Sequence, residues 1–170
     1  MSNIYLSKVT IIVQIMIGIM RITLAILSAA YGIDITIQQK PIIEANIPGN
    51  ESQIRVANQL ILHCGIPLVF NGAVLFASQM VIVTSWRHPV VVKWMSIMFI
   101  LLYVILLVWQ LGYCTMKLVT DEMIGFLFQY PLMTSLLIGA AAVLQLTDMM
   151  LRYYLCNDGT RSITWIQNST

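Results

Sequence analysis

The chain has 170 residues, of which 59% are hydrophobic and only 9% are charged, and its formal net charge is +2. Soluble domains carry about 25% charged residues, so this composition excludes an ordinary soluble protein. Because the sequence has neither a basic stripe nor an aromatic platform on polar strands, it gives no support for nucleic-acid binding.

Four long apolar runs take up most of the chain. They cover residues 9–33, 57–84, 89–112 and 126–154. Each run exceeds the ~20 residues that an α-helix needs to cross a hydrocarbon core of ~30 Å. Since little sequence remains outside the runs, we predict one all-α domain. That domain would be an integral membrane four-helix bundle in contact with the lipid bilayer.

The first run carries a charged residue near its middle. The segment before this run, residues 1–8, is short and polar, and the run itself is too long for a signal-peptide core. We therefore interpret the first run as an uncleaved signal anchor. At ~100° per residue one face of this helix holds only polar or small side chains, namely Gln14, Gly18, Arg21, Ala25 and Ser28. A charge within a span costs roughly 2.5–3.5 kcal/mol on insertion scales. Two interpretations of Arg21 stay open: a contact with an ion, ligand or partner, or a structural hydrogen bond inside the bundle.

The first break, residues 34–56, is the longest of the three and contains Pro41, Pro48 and Gly49. We predict that it forms an outer loop. Its sequence Asn50-Glu51-Ser52 is an N-glycosylation sequon, and such a site is modified only in the lumen or outside the cell. We therefore predict glycosylation of Asn50. The second sequon, at Asn168, is predicted to face the cytoplasm and to be unused.

The distribution of Lys and Arg indicates the same orientation. Five basic residues lie at the predicted inner ends (Lys8, Arg87, Lys93, Arg152 and Arg161) and three in the predicted outer loops (Lys40, Arg55 and Lys117). Cytoplasmic loops carry an excess of these residues. The predicted topology is N-in and C-in, with outer loops 34–56 and 113–125.

The second and third runs differ in polarity. In the second run Cys64, Asn71 and Ser78 share one helix face at seven-residue spacing, and Gly65 and Gly72 add small surfaces that favour close helix approach. The third run, residues 90–111, is almost purely apolar. We predict that it faces lipid or a partner protein.

The fourth run has a polar face that holds Thr134, Ala141, Gln145, Asp148 and Arg152. Asp148 and Arg152 form an i,i+4 pair in the favourable acid-first order. Counted from the inner ends of the runs, Asp148 and Arg21 differ in depth by roughly 9–12 Å, more than one Arg side chain usually bridges. We therefore predict a local Asp148–Arg152 pair. Arg21 is assigned to Gln145, Asn71, backbone carbonyls or another protein.

Small residues in the same run predict close helix packing. Ser135 and Gly139 lie four residues apart, and the segment 139–142 consists of Gly and Ala. Small residues at this spacing let the backbones of two helices approach closely in lipid.

The three cysteines form no CxxC and lack metal-ligand spacing. Cys64 and Cys114 lie toward the same ends of their runs, so either a disulfide joins them or Cys64 is a small packing residue. Cys156 follows the fourth run close to Arg152 and is a candidate for S-palmitoylation. Neither His63 nor His88 forms a nucleophile-and-base set with a Ser or Cys. The sequence thus predicts a protein that is not an enzyme and has no catalytic residue, cofactor or metal.

Several segments resemble the membrane-spanning four-domain subfamily A, the family of the B-lymphocyte tetraspan antigen. The segment Val13-Gln14-Ile15-Met16-Ile17-Gly18, followed by Ile22 and Leu24, fits the pattern of that family's first span. The segments 66–68, 71–73 and 143–156 loosely resemble its second and fourth spans. This chain departs from the family in its outer loops, since the family usually has a short first loop and a longer second one. The resemblance implies an oligomeric cell-surface protein that organises receptors or modulates ion flux.

Together these features predict an accessory subunit or organiser of other integral membrane proteins, in a hetero-complex or a homo-oligomer. The predicted location is the plasma membrane, with an internal membrane as the alternative. The predicted polar contacts within the membrane come from Gln14, Arg21, Asn71, Gln145, Asp148 and Arg152. The alternative function is an oligomeric pore or transporter subunit in which the first five of these side chains, Gln14, Arg21, Asn71, Gln145 and Asp148, line a hydrated path.

Overall fold

The computed structural model describes residues 2–46, 49–85, 89–119 and 129–167. Its side chains are described for residues 11–37, 54–85, 90–117 and 129–153, and for Ala45, Gly49 and Glu51. The elements in chain order are α1 (Ser2–Asn46), α2 (Asn50–Leu60), a π-helical turn (Ile61–Gly65), α3 (Ile66–Thr84), α4 (Pro89–Val119) and α5 (Gln129–Gln167). Because α2, the π-helical turn and α3 follow one another without a break, the described chain forms four long helical rods.

Each rod contains a segment long and apolar enough to cross a membrane. These segments are Ile11–Ile37, Ile54–Thr84, Val90–Lys117 and Gln129–Tyr153. Helix α1 packs most extensively against α3, and α4 against α5, while contacts of α1 with α5 and of α3 with α4 close the bundle. The predicted all-α, four-helix membrane bundle is confirmed.

The solvent of this bundle is lipid, as its surface shows. Large apolar side chains are exposed along every rod, among them Ile26, Phe76, Ile105 and Leu136. A soluble monomer rarely exposes apolar patches of this extent. Helices satisfy their own backbone hydrogen bonds, so they tolerate such a surface within hydrocarbon. The chain is therefore a multi-pass membrane protein.

Helices α1 and α3 approach closely because glycines face each other. A Cβ atom on Gly32 would lie 2.8 Å from the carbonyl oxygen of Gly65, and one on Gly72 would lie 2.7 Å from the carbonyl oxygen of Ala25. Neither distance leaves room for a side chain, so small residues set the separation of the two helices. The predicted close approach at Gly65 and Gly72 is confirmed.

The corresponding prediction for the fourth run holds only in part. A Cβ atom on Gly139 would meet nothing within 4 Å. Gly139 therefore brings no other helix of the described chain close to α5, whereas Ala141, two residues later, is fully buried in a core cluster with Ala25 and Tyr103. Spacing identifies a small face, but the rotation of the helix in the bundle decides whether that face meets a neighbour.

The π-helical turn ends at Gly65, two residues before Pro67. Proline has no N–H to donate, and its ring crowds the carbonyl four residues earlier. The backbone N–H of Ile66 bonds to the carbonyl of Ile61, five residues before it, which is the wider spacing of a π-helix. The rod thus continues past the proline without ending.

The predicted outer loops are largely helical, which corrects the sequence-based boundaries. Helix α1 continues through Asn46, and α2 begins at Asn50, directly after Gly49 with its left-handed φ of 94°. Fully buried Ile35 packs with Ala57 and Leu60, so tertiary contacts favour helix where Pro41 predicted a loop. Helix α4 likewise extends to Val119. Residues 47–48, 86–88 and 120–128 lie outside the described residues, as does Asn168.

Candidate functional site

Each rod turns one polar face toward the axis of the bundle, and most residues of that face recur at multiples of seven positions. Seven residues make about two helical turns, so side chains at this spacing stay on one side. We call the buried set the polar column: Arg21, Ser28, Asn71, Ser78, Ser96, Tyr103, Gln110, Thr134, Gln145 and Asp148. The polar faces that the sequence places on the first, second and fourth spans are thus buried inside the bundle.

Arg21 is the charged centre of the polar column. Its Nη2 donates a hydrogen bond of 2.8 Å to Oε1 of Gln145 and lies 3.3 Å from Oδ2 of Asp148. Only 1% of the Arg21 surface is exposed. The predicted Gln145 partner is confirmed, and Arg21 forms the buried structural contact that was one of its two interpretations.

The expectation that Asp148 and Arg21 differ too much in depth to meet is wrong. That expectation counted residues from the ends of the apolar runs, as if those ends marked one plane. Helix α1 begins as early as Ser2 and α5 extends to Gln167, so neither run ends where its helix ends. The relative shift of two helices is set by their packing, which sequence counting does not contain.

Asp148 is shared between two arginines. Nε of Arg152 donates a hydrogen bond of 2.8 Å to Oδ2 of Asp148, which confirms the predicted local pair. The same oxygen faces Nη2 of Arg21. Among the side chains that the structure describes, two guanidinium groups therefore depend on one carboxylate.

Asn71 serves a different contact from the one predicted. Its Nδ2 donates a hydrogen bond of 3.0 Å to Oγ of Ser28, which joins α3 to α1 one level away from Arg21. Ser78 donates to the carbonyl of Leu75 on its own helix at 2.8 Å. The polar column thus consists of separate hydrogen-bonded levels, of which Asn71–Ser28 and Arg21–Gln145–Asp148 are two.

Helix α4 contributes buried polar residues that the sequence analysis missed. Tyr103 is fully buried in the middle of the bundle, and its hydroxyl has no hydrogen-bond partner among the described residues. Nε2 of Gln110 lies 3.4 Å from the carbonyl of Pro131 on α5. The seven-residue spacing of Ser96, Tyr103 and Gln110 is the signal that could have identified this face. Val92 is buried as well, and Leu102 and Leu106 pack against the core, so the prediction that this run faces lipid or a partner holds for only one side of the helix.

The cysteines at the other end of the bundle are free. Cys64 is fully buried, and Sγ of Cys114 lies 3.7 Å from Oγ of Ser135. Cys64 and Cys114 form no disulfide, and Cys64 packs beside Leu60 and Leu68. Cys156 lies in the backbone of α5, but its side chain is outside the described residues, as is that of Asn50.

His63 forms an aromatic stack between two rods. Its ring lies 4.1 Å from Tyr113 and 5.7 Å from Trp109, centroid to centroid, in nearly parallel orientation. The stack joins the π-helical turn to α4. Within the described part of the chain, no group of three or more His, Cys, Asp or Glu side chains is placed to hold a metal ion.

The polar column is closed to water in this conformation. Arg21, Asn71, Gln145 and Asp148 have at most 1% of their surface accessible, and Leu68, Leu75 and Ile138 fill the space between the polar levels. Gln14 stands apart from this set: it is half-buried and lies in a groove between α1, α3 and α5.

The chain matches no known family model, no curated protein and no solved structure. The closed polar column and the exposed helix faces are therefore the features from which a function can be argued.

Proposed function

We propose that this protein is a non-enzymatic accessory subunit or organiser that binds other membrane proteins, with the plasma membrane as its location. This proposal rests on the apolar composition and the low burial of α4. Its span is the most apolar of the four, and it is also the least buried within the bundle. A helix that gives so little of its surface to its own fold leaves most of it for lipid or another protein.

The exposed side of α4 has a shape that suits a second helix. Leu101, Ile105, Val108 and Gly112 follow one another at three- and four-residue spacing, and all four are exposed. We call this set the α4 face. A Cβ atom on Gly112 would meet nothing within 4 Å, so this position is open, and the missing side chain leaves a notch in the face after Val108. Small residues at such positions let a second helix approach closely in lipid.

Arg21 has a structural role in this proposal. Its guanidinium is enclosed by Gln145 and Asp148, so it offers no surface to an acidic residue of a partner. It ties α1 to α5 instead. The binding surface is accordingly assigned to the α4 face.

The burial of the polar column also favours the accessory function over the pore alternative. A hydrated path along these residues would require water to touch Arg21, Asn71 and Gln145, which are sealed within the bundle. Their hydrogen bonds join neighbouring helices, as is usual for polar side chains that hold membrane bundles together. A path between protomers would be formed by other residues.

The proposal is tested by purifying the tagged protein from native membranes in a mild detergent. We expect a larger membrane protein to co-purify in fixed stoichiometry. Gly112→Leu fills the notch without touching the fold, so it should remove most of this partner. Ala140→Leu makes a similar change at an exposed position on α5 and should retain it.

Two results would contradict the proposal. One is retention of the partner by Gly112→Leu to the same extent as by Ala140→Leu. The other is a homo-oligomer that carries ions across liposomes, which would establish the pore alternative.

A further inference from the structure

A groove of about 310 Å³ opens sideways between α1, α3 and α5. We call it the lateral groove. Its apolar wall is a row of exposed isoleucines on α1 (Ile11, Ile15, Ile19 and Ile22) that faces Val83 of α3. Its polar lining comes from Gln14, Gln79, Asp148 and Arg152.

The polarity of the lateral groove changes with depth in the membrane. Ile11, Val83 and Arg152 each lie within two residues of the end of their apolar run, since these runs begin at residue 9 and end at residues 84 and 154. Arg152 therefore lies at the membrane boundary. Ile19 and Ile22 lie roughly two to three helical turns deeper, at 1.5 Å per residue. A charged group at the boundary with an apolar track leading inward matches the profile of a lipid molecule.

The described side chains at this site carry one more positive than negative charge. Arg21 and Arg152 share Asp148, so one positive charge has no counter-charge among the described side chains. Nε and Nη1 of Arg21 have no hydrogen-bond partner within the described part of the chain, and Arg21 does not line the groove. The Arg152 side chain is 21% exposed and does line it, so this guanidinium presents the excess charge to a ligand.

We propose that the lateral groove binds one anionic glycerophospholipid. The lipid phosphate would meet Arg152, and one acyl chain would lie along the isoleucine row. Guanidinium groups bind phosphate oxygens well because their N–H donors match them in charge and geometry. On the predicted N-in topology this end of the bundle faces the cytoplasmic leaflet, which is the leaflet rich in anionic lipids.

The preference of the groove for an anionic lipid is tested by native mass spectrometry of the purified protein in detergent. The two lipids compared are phosphatidylglycerol and phosphatidylcholine with identical acyl chains. The intact protein should retain one phosphatidylglycerol about fivefold more strongly, the size of one basic side chain's attraction to anionic lipid. Arg152→Gln leaves Arg21 and Asp148 as a one-to-one pair, and the preference should fall to near equality. Lys93→Gln removes an exposed basic residue outside the groove and should keep the preference.

The groove itself is tested with two matched tryptophans on α1. Ile19→Trp fills the lateral groove and should reduce retention of both lipids, whereas Ile26→Trp lies seven residues further along the same face, outside the groove, and should change neither. Both positions are exposed, so these variants keep the test valid if Arg152→Gln does not fold. Glycerol phosphate, which has no acyl chain, should not displace the bound lipid.

Three outcomes would overturn the proposal: equal retention of the two lipids by the intact protein, unchanged binding in Ile19→Trp, or displacement by glycerol phosphate. The last would identify a site for a soluble anion.

Discussion

Asp148 is the residue on which the charge balance of the bundle depends. It lies between Arg21 and Arg152, and its own surface is almost fully enclosed. Asp148→Asn would leave two guanidinium groups, one of them fully buried, without a carboxylate among the side chains that the structure describes. Breaking a buried ion pair by removing one partner costs about 3–5 kcal/mol. We expect a loss of that size in the free energy of unfolding, measured by denaturation of the purified protein in mild detergent.

The double variant Arg21→Met/Asp148→Asn separates charge from packing. Met roughly keeps the length of the buried side chain and removes the unpaired cation, so the double variant should be more stable than Asp148→Asn alone. If the two substitutions instead destabilise additively, the Arg21–Asp148 contact is not the source of the effect.

The polar contacts of single residues could be predicted from the sequence only where helical periodicity determines which residues share a face. Asp148–Arg152 follows from i,i+4 spacing, and the inward direction of Arg21 follows from the polar face that it shares with Ser28. The Arg21–Asp148 contact and the Asn71–Ser28 bond depend on how far two helices are shifted along each other. That shift results from packing of entire faces, so no local pattern contains it.

At the level of helices, the contact between α1 and α3 depends on positions without side chains. Gly72→Ala would place a Cβ atom 2.7 Å from the carbonyl oxygen of Ala25 and 3.1 Å from Cβ of Ala29. Backbone cannot yield as a flexible side chain does, so the two helices must separate. Overpacking of this kind costs about 1–3 kcal/mol. We expect that loss of unfolding free energy in detergent.

The chain offers matched controls for this substitution. Gly112 and Gly139 also lie in helices, but a Cβ atom there would meet nothing within 4 Å. Alanine at either position should leave stability unchanged or raise it slightly, because alanine is the better helix former by about 1 kcal/mol. Equal destabilisation by all three substitutions would show that helix contact at Gly72 is not the cause.

The existence of the helices was predictable, and their ends were not. Four apolar runs of this length are hard to interpret in any other way in lipid. The ends depend on contacts beyond the runs. Ile35 packs with Leu60 and carries α1 past the predicted boundary, while Pro67 widens one turn without ending its rod. Proline and glycine mark where a helix is weak, and tertiary packing decides whether it stops.

In the molecule as a whole, the two proposed surfaces lie on different rods. The lateral groove is lined by α1, α3 and α5, and no residue of α4 takes part. The α4 face is formed by α4 alone. A lipid and a partner helix could therefore bind together, and a substitution on one surface should leave binding at the other unchanged.

The orientation of the molecule decides which leaflet the lateral groove meets. The first apolar run ends at residue 33, and helix α1 continues thirteen residues further to Asn46, roughly 20 Å at 1.5 Å per residue, so the turn at Gly49 and the sequon at Asn50 lie well past the end of the first span. If this turn is outside the cell, as the basic residues predict, the groove opens to the cytoplasmic leaflet.

Glycosylation reports this orientation directly. Treatment of the protein from its native membrane with a glycosidase should increase its mobility on a gel. Asn50→Gln should abolish the shift, and Asn168→Gln should retain it. A shift that depends on Asn168 instead would invert the topology. The groove would then face the outer leaflet, where anionic lipid is scarce and Arg152 would need another anion.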